Sequence, residues 1–147
     1  MLTMLSDQNR PADARPRFVL LRHAMNPSNG RFDHWDLMLE HEGALVTFEL
    51  TRLPSEPGPF EVLRLSDHRL HYLDFEGDIS GGRGHVVRLD RGIWQLHPVH
   101  TAHDSRPFQY QLHGARLTAT IGSDKPICAL PVAESVLLQA LHWHWDD

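Results

Sequence analysis

The chain has 147 residues, one cysteine and a formal net charge of -5 from 14 basic and 19 acidic side chains. That length fits one domain with a core of its own, and Cys128, standing alone, excludes an internal disulfide and a zinc site built on several cysteines. No apolar run approaches the roughly 20 residues of a membrane span and residues 1–17 lack a signal core, so no membrane role and a cytoplasmic address are expected; the acidic balance argues against indiscriminate nucleic-acid binding.

Two biases in composition stand out. All basic residues except Lys125 are arginine, the better fork for phosphate, although codon bias produces the same excess. There are 12 histidines, the commonest metal ligand and the usual acid or base near neutrality.

In chain order, residues 1–16 are polar, contain Pro11 and Pro16, and read as a flexible N-terminal arm before a domain spanning 17–147. Phe18 to Arg22 is a short strand, and Asn26-Pro27-Ser28-Asn29-Gly30 a loop. Asp33 to Glu40 alternates, with Trp35, Leu37 and Leu39 on one face and His34, Asp36, Met38 and Glu40 on the other; a turn at Gly43 leads into a second alternating strand, Ala44 to Leu50. Beyond a Pro-rich loop, Val62 to Leu65 and His71 to Glu76 read as extended. Asp90-Arg91-Gly92 looks like the turn of a hairpin between Val86–Leu89 and Ile93–Leu96, and His113-Gly114 like the turn of another. Pro131 opens a predicted helix with a Val132, Val136, Leu137, Ala140, Leu141 stripe. The expected fold is mainly β: a compact single-domain β-barrel of about eight strands with one C-terminal helix.

The strongest local chemistry is His34-Trp35-Asp36, because residues two apart on a strand project from one face. His23 returns beside them if the first two strands pair. Two imidazoles and one carboxylate suit Mn, Fe(II) or Zn and leave coordination positions open; the alternative is an ordinary polar strand face. His68 and Tyr72 are candidate donors to an anion, against a loop histidine and a half-buried tyrosine. Arg52, Arg64 and Arg83 are candidate phosphate contacts or solvated charges. His97, His100 and His103 form a weaker set with metal-like spacing, His142 and His144 would face different ways on a helix, and Cys128 reads as a small buried apolar residue. Gly81-Gly82-Arg83-Gly84 lacks the Lys-Ser/Thr ending of a phosphate loop.

Taken in order, these segments resemble the 3′-phosphoesterase module of bacterial DNA ligase D. The resemblance rests on Phe18-Val19 to His23, His34-Trp35-Asp36 to Leu39-Glu40, Gly43, Asp67-His68, Tyr72, Phe75-Glu76-Gly77, Ile79, Asp90-Arg91-Gly92-Ile93-Trp94 and Leu112-His113-Gly114-Ala115-Arg116-Leu117, and covers about residues 17 to 122. It implies a β-barrel enzyme that uses a manganese-type divalent ion (zinc or another transition ion as alternatives) to remove a terminal ribonucleoside or a 3′-phosphate from DNA 3′ ends. A DNA ligase or polymerase is the implied partner. By position the metal ligands are His23, His34 and Asp36; His68 contacts the phosphate as a general acid, Tyr72 and Arg52 help hold it, and Arg64 lies near a further family arginine. Met38 stands where the family has an arginine, and the loop between His23 and His34 is several residues longer. Two other readings stay open: a non-catalytic metal- or nucleic-acid-binding relative, and a cupin-like small-molecule metalloenzyme.

Overall fold

The computed structural model describes residues 14–25, 28, 30–97 and 107–146. Nine strands make one antiparallel sheet: β1 (Arg17–Ala24), β2 (His34–His41), β3 (Ala44–Leu50), β4 (Gly58–His68), β5 (Gly77–Asp78), β6 (His85–His97), β7 (Phe108–Gly114), β8 (Leu117–Ser123) and β9 (Ser135–Trp145). Their order is β1-β2-β3-β4-β9-β8-β7-β6-β5, and β1 also pairs with β6. The sheet therefore closes into an eight-stranded barrel, with the two-residue β5 added on β6. Closure leaves no long unpaired edge, and eight strands enclose a space that side chains fill.

Phe18, Leu20, Leu37, Leu39, Phe48, Leu50, Leu112 and Leu117 form part of that interior. Opposite faces of the same strands carry a second, smaller core on the outside of the barrel. Val19, Leu21, Met38, Leu45 and Val86 are covered there by Leu73, with Leu70, Tyr72, Phe75 and Ile79 packed on them. This outer layer explains why four consecutive residues of β1, Phe18 to Leu21, have no exposed surface. It also means that polar residues on the outer face of β2 are buried instead of solvated.

The β2–β3 hairpin forms where the alternation places it. Its two turn residues, Glu42 and Gly43, have φ of 50° and 82°, the conformation that suits the right-handed twist of the flanking strands.

The C-terminal segment departs from expectation. Among the described residues there is no α-helix, and the Val132–Leu141 stripe lies on a turn and on β9, which fills the gap between β4 and β8. In the pairing of β9 with β8, Ile121 lies opposite Ala140 and Thr120 opposite His142, so Leu141 is an extra, bulged residue. The inward positions accordingly shift parity from Leu138 and Ala140 to Trp143. A bulge in an apolar strand thus imitated helical spacing; Leu137, a member of the supposed stripe, is 54% exposed.

Asp90-Arg91-Gly92 is likewise not a turn, because β6 runs unbroken through it, with a register shift opposite Leu20 and Leu21. The buried Asp90 carboxylate accepts hydrogen bonds from the backbone N–H groups of Ala115, Arg116 and Leu117 at 3.1, 3.0 and 2.7 Å. It secures the β7–β8 turn from below. A Cβ on Gly92 would lie 2.0 Å from the His113 carbonyl oxygen, so glycine is required by contact. Residues 71–76, expected to be extended, include part of a 3₁₀ turn, Leu70–Leu73. Cys128 is exposed, not buried. His100, His103 and residues 1–13 lie outside the described residues.

Candidate metal centre

The tight hairpin and the β1–β2 pairing build the site. Register places His23 directly opposite His34, and Leu21 opposite Asp36, with the two imidazole centroids 4.6 Å apart. One ligand atom from each of His23, His34 and Asp36 lies within 4.8 Å of the others. The site occupies the end of β1 and the start of β2, beside the outer core that begins at Leu21 and Met38.

Hydrogen bonding defines which ring atoms face inward. Nε2 of His23 lies 2.7 Å from the Arg83 carbonyl oxygen, and Nδ1 of His34 lies 3.2 Å from that of Phe32. A carbonyl only accepts, so each of these nitrogens carries a proton. In a neutral ring the other nitrogen is then a lone pair. These are Nδ1 of His23, 3.3 Å from Asp36 Oδ2, and Nε2 of His34, 3.3 Å from Asp36 Oδ1. Lone pairs facing a carboxylate repel unless a proton or a cation lies between them. Backbone carbonyls that fix the ring tautomer are also the usual outer support of metal-bound histidines.

Electrostatics describe the metal-free alternative, a proton held between ring and carboxylate. Burial works to raise the Asp36 carboxyl, but the hydrogen bonds and charges of His23 and His34 outweigh it and hold the group below its ordinary value. Burial also works to lower the His34 ring, yet the Asp36 hydrogen bond and charge outweigh that and hold it above 6.5. Asp36 Oδ1 is buried, and its 3.3 Å approach to His34 Nε2 falls short of a well-formed hydrogen bond. A buried carboxylate with one imidazole nitrogen facing each oxygen, His34 at Oδ1 and His23 at Oδ2, fits a divalent transition ion, with coordination positions left for water and substrate.

A further carboxylate reaches the site. In the hairpin, Glu49 of β3 pairs with Asp36, and its Oε1 lies 3.4 Å from His34 Nε2. Arg31 bonds the same Oε1 at 2.8 Å. Sequence inspection passed over both residues. A two-residue turn between His41 and Ala44 nonetheless sets Asp36 against Glu49, which was the available signal.

The remaining candidates lie on other elements. His68 ends β4 opposite Leu45, which pairs through the hairpin with Glu40; its backbone is two strands across and four residues along from Asp36. Its ring meets that of Tyr72 edge-on at 5.4 Å, and Tyr72 packs on the outer core that includes Leu21 and Met38. Met38 is 1% exposed in that apolar cluster, without a charge for phosphate. Arg52 is exposed in the loop after β3, the segment that lines a cavity of about 560 Å³. Arg64 is on the opposite, inward face: it is 3% exposed, sits 5.8 Å over the Phe48 ring and pairs with Asp67 at 2.9 Å. Arg83 contributes its carbonyl to His23, while its side chain bonds Ser80.

Residues 26–121 match the family model of the DNA ligase D 3′-phosphoesterase domain. The chain belongs to that family. The match includes His34, Asp36, His68 and Tyr72 but starts after His23, which reaches the site through strand pairing. Among curated proteins, the chain is 33% identical over 92 residues to the multifunctional non-homologous end joining protein LigD of Pseudomonas aeruginosa, covering 57% of this chain and 11% of that protein. It is 29% identical over 106 residues to the protein of the same name from Mycobacterium bovis, covering 69% of this chain and 13% of that protein. The similarity to these LigD proteins is thus confined to a small fraction of their length.

Proposed function

We propose that this phosphoesterase-family domain is a divalent-metal-dependent hydrolase of DNA 3′ ends, removing a terminal ribonucleoside, a 3′-phosphate or both in DNA repair. The observation that carries the proposal is the convergence of two imidazole lone pairs and a buried carboxylate at His23, His34 and Asp36. Manganese is the first choice of ion, with zinc or another transition ion as alternatives. Bound there, it supplies Lewis-acid charge to a phosphoryl oxygen and to an attacking water.

The chain's own residues have defined tasks in this reading. Asp36, held ionised, supplies the negative charge of the site, and the two carbonyl-tethered rings keep their lone pairs aimed. His68 donates Nδ1–H to the Ser66 carbonyl at 3.0 Å, which leaves Nε2 as the atom that exchanges a proton with a leaving oxygen. Such acid catalysis contributes about 10²- to 10⁴-fold. Tyr72 and Arg52 donate to phosphate oxygens. Arg64 is assigned no phosphate contact, since its guanidinium is buried against Phe48 and Asp67. A DNA ligase or polymerase is the proposed working partner.

The buried Met38 favours a second reading, a relative that retains the metal but lacks turnover. The two are separated with 5′-labelled primer–template DNA ending in a 3′-phosphate or a ribonucleotide, incubated with manganese or with chelator. Manganese-dependent shortening or dephosphorylation, reduced at least about 10²-fold in His34→Ala, is the expected result. Absence of product on both ends from protein shown to bind metal would establish the second reading.

A further inference from the structure

We infer that Phe32 is a stacking platform for the nucleobase of the 3′-terminal nucleotide, an inference that rests on the DNA-end reading above. Phe32 is 90% exposed, the only aromatic among the exposed large hydrophobics of the described residues. Single exposed apolar side chains are ordinary; this one is set apart by how its neighbours are held. On one side, Arg31 bonds Glu49 at 2.8 Å. On the other, the Asp33 carboxylate accepts the Met25 backbone N–H at 2.8 Å and an Arg22 N–H at 3.2 Å. The Phe32 carbonyl itself accepts Nδ1–H of the metal-ligand candidate His34. Residues 31 to 33 are thus pinned at three points, and the phenyl ring is the most exposed of their side chains.

The placement suits a terminal base. A ring whose own carbonyl orients a metal ligand stands at a fixed offset from the reacting phosphate, so the nucleotide attached to that phosphate is the group within reach. Arg31, with 55% of its side chain exposed, brings positive charge to the same loop for the sugar–phosphate backbone. Stacking tolerates any base because every base has a π-face, as trimming ends of arbitrary sequence requires.

The test is a double-mutant cycle on the full chain. Binding of 5′-fluorescein primer–template, measured by anisotropy in chelator, is compared for a base-bearing 3′ ribonucleotide and an abasic 3′ sugar; turnover is measured on the same ends with manganese. Phe32→Ala is expected to weaken binding and kcat/KM on the base-bearing end by roughly 5- to 150-fold, the span corresponding to about 1–3 kcal/mol of stacking at 1.36 kcal/mol per tenfold. It should leave the abasic end within about twofold, and Phe32→Trp should retain wild-type behaviour on both. Equal loss on both ends, or none on either, overturns the inference. Turnover without dependence on Phe32 overturns this inference alone; base-selective binding through Phe32 without turnover on any end overturns the phosphoesterase reading alone. Failure of the wild type both to bind and to turn over either end overturns both.

Discussion

His23 and His34 each commit one ring N–H to a backbone carbonyl, at 2.7 and 3.2 Å, so their remaining nitrogens meet Asp36 either as lone pairs around a cation or as a protonated ring against a carboxylate. These two states respond oppositely to pH. Without metal, the raised His34 contributes stability that is present below its unfolded value of about 6.5 and is lost as pH rises through its higher folded value. The lowered Asp36 contributes stability present above its unfolded value of about 3.8 and lost as pH falls through its lower folded value. The metal-free pair is therefore strongest in the weakly acidic window between those values. Metal binding needs the neutral ring and must displace that proton. The metal-induced rise in Tm should thus be larger near pH 8 than near pH 5.5 and absent in Asp36→Ala, as differential scanning fluorimetry with manganese and zinc would measure. A larger rise at the acidic pH would place the ion elsewhere.

At the scale of elements, β6 is the strand on which barrel closure turns, since it pairs with β1, β5 and β7. Asp90 at its centre is 5% exposed and satisfies three backbone N–H groups of the β7–β8 connection. Removing that carboxylate leaves partly buried donors without a partner, each costing about 1–3 kcal/mol. Asp90→Ala should therefore lower the unfolding free energy in urea by about 3 kcal/mol or more. Its effect on activity per folded molecule should be small, because Asp90 faces away from the triad's end of β1. A midpoint unchanged from wild type would show that water replaces the carboxylate.

For the molecule as a whole, a net charge of -5 opposes binding along duplex DNA, so the DNA recognition proposed above is local and engages few phosphates. If two or three phosphates are engaged, the slope of log Kobs against log salt lies between about -2 and -3. Salt titration of primer–template binding by anisotropy measures it directly. A slope as steep as about -6 would indicate an extended duplex footprint instead.

Much of the barrel and of the candidate ligand set was legible in the chain. Alternation over Asp33–Leu50 and the Gly43 turn specified the β2–β3 hairpin, and with it the shared face of His34 and Asp36, because side chains on a strand repeat every two residues. His23 was expected there on the condition that the first two strands pair, Glu49 follows from the hairpin register but was passed over, and Arg31 joins that face through a loop, which local pattern does not encode. Tertiary structure also decided the C-terminal segment: closing the barrel required a strand between β4 and β8, and the bulge at Leu141 disguised its period. The same holds for Arg64, whose charge looked available for phosphate until the register with Phe48 turned it inward. Sequence by itself determined which residues have the chemistry to bind a metal and a phosphate. Which of them meet was decided by strand register, since a one-residue change in pairing moves a side chain to the other side of the sheet.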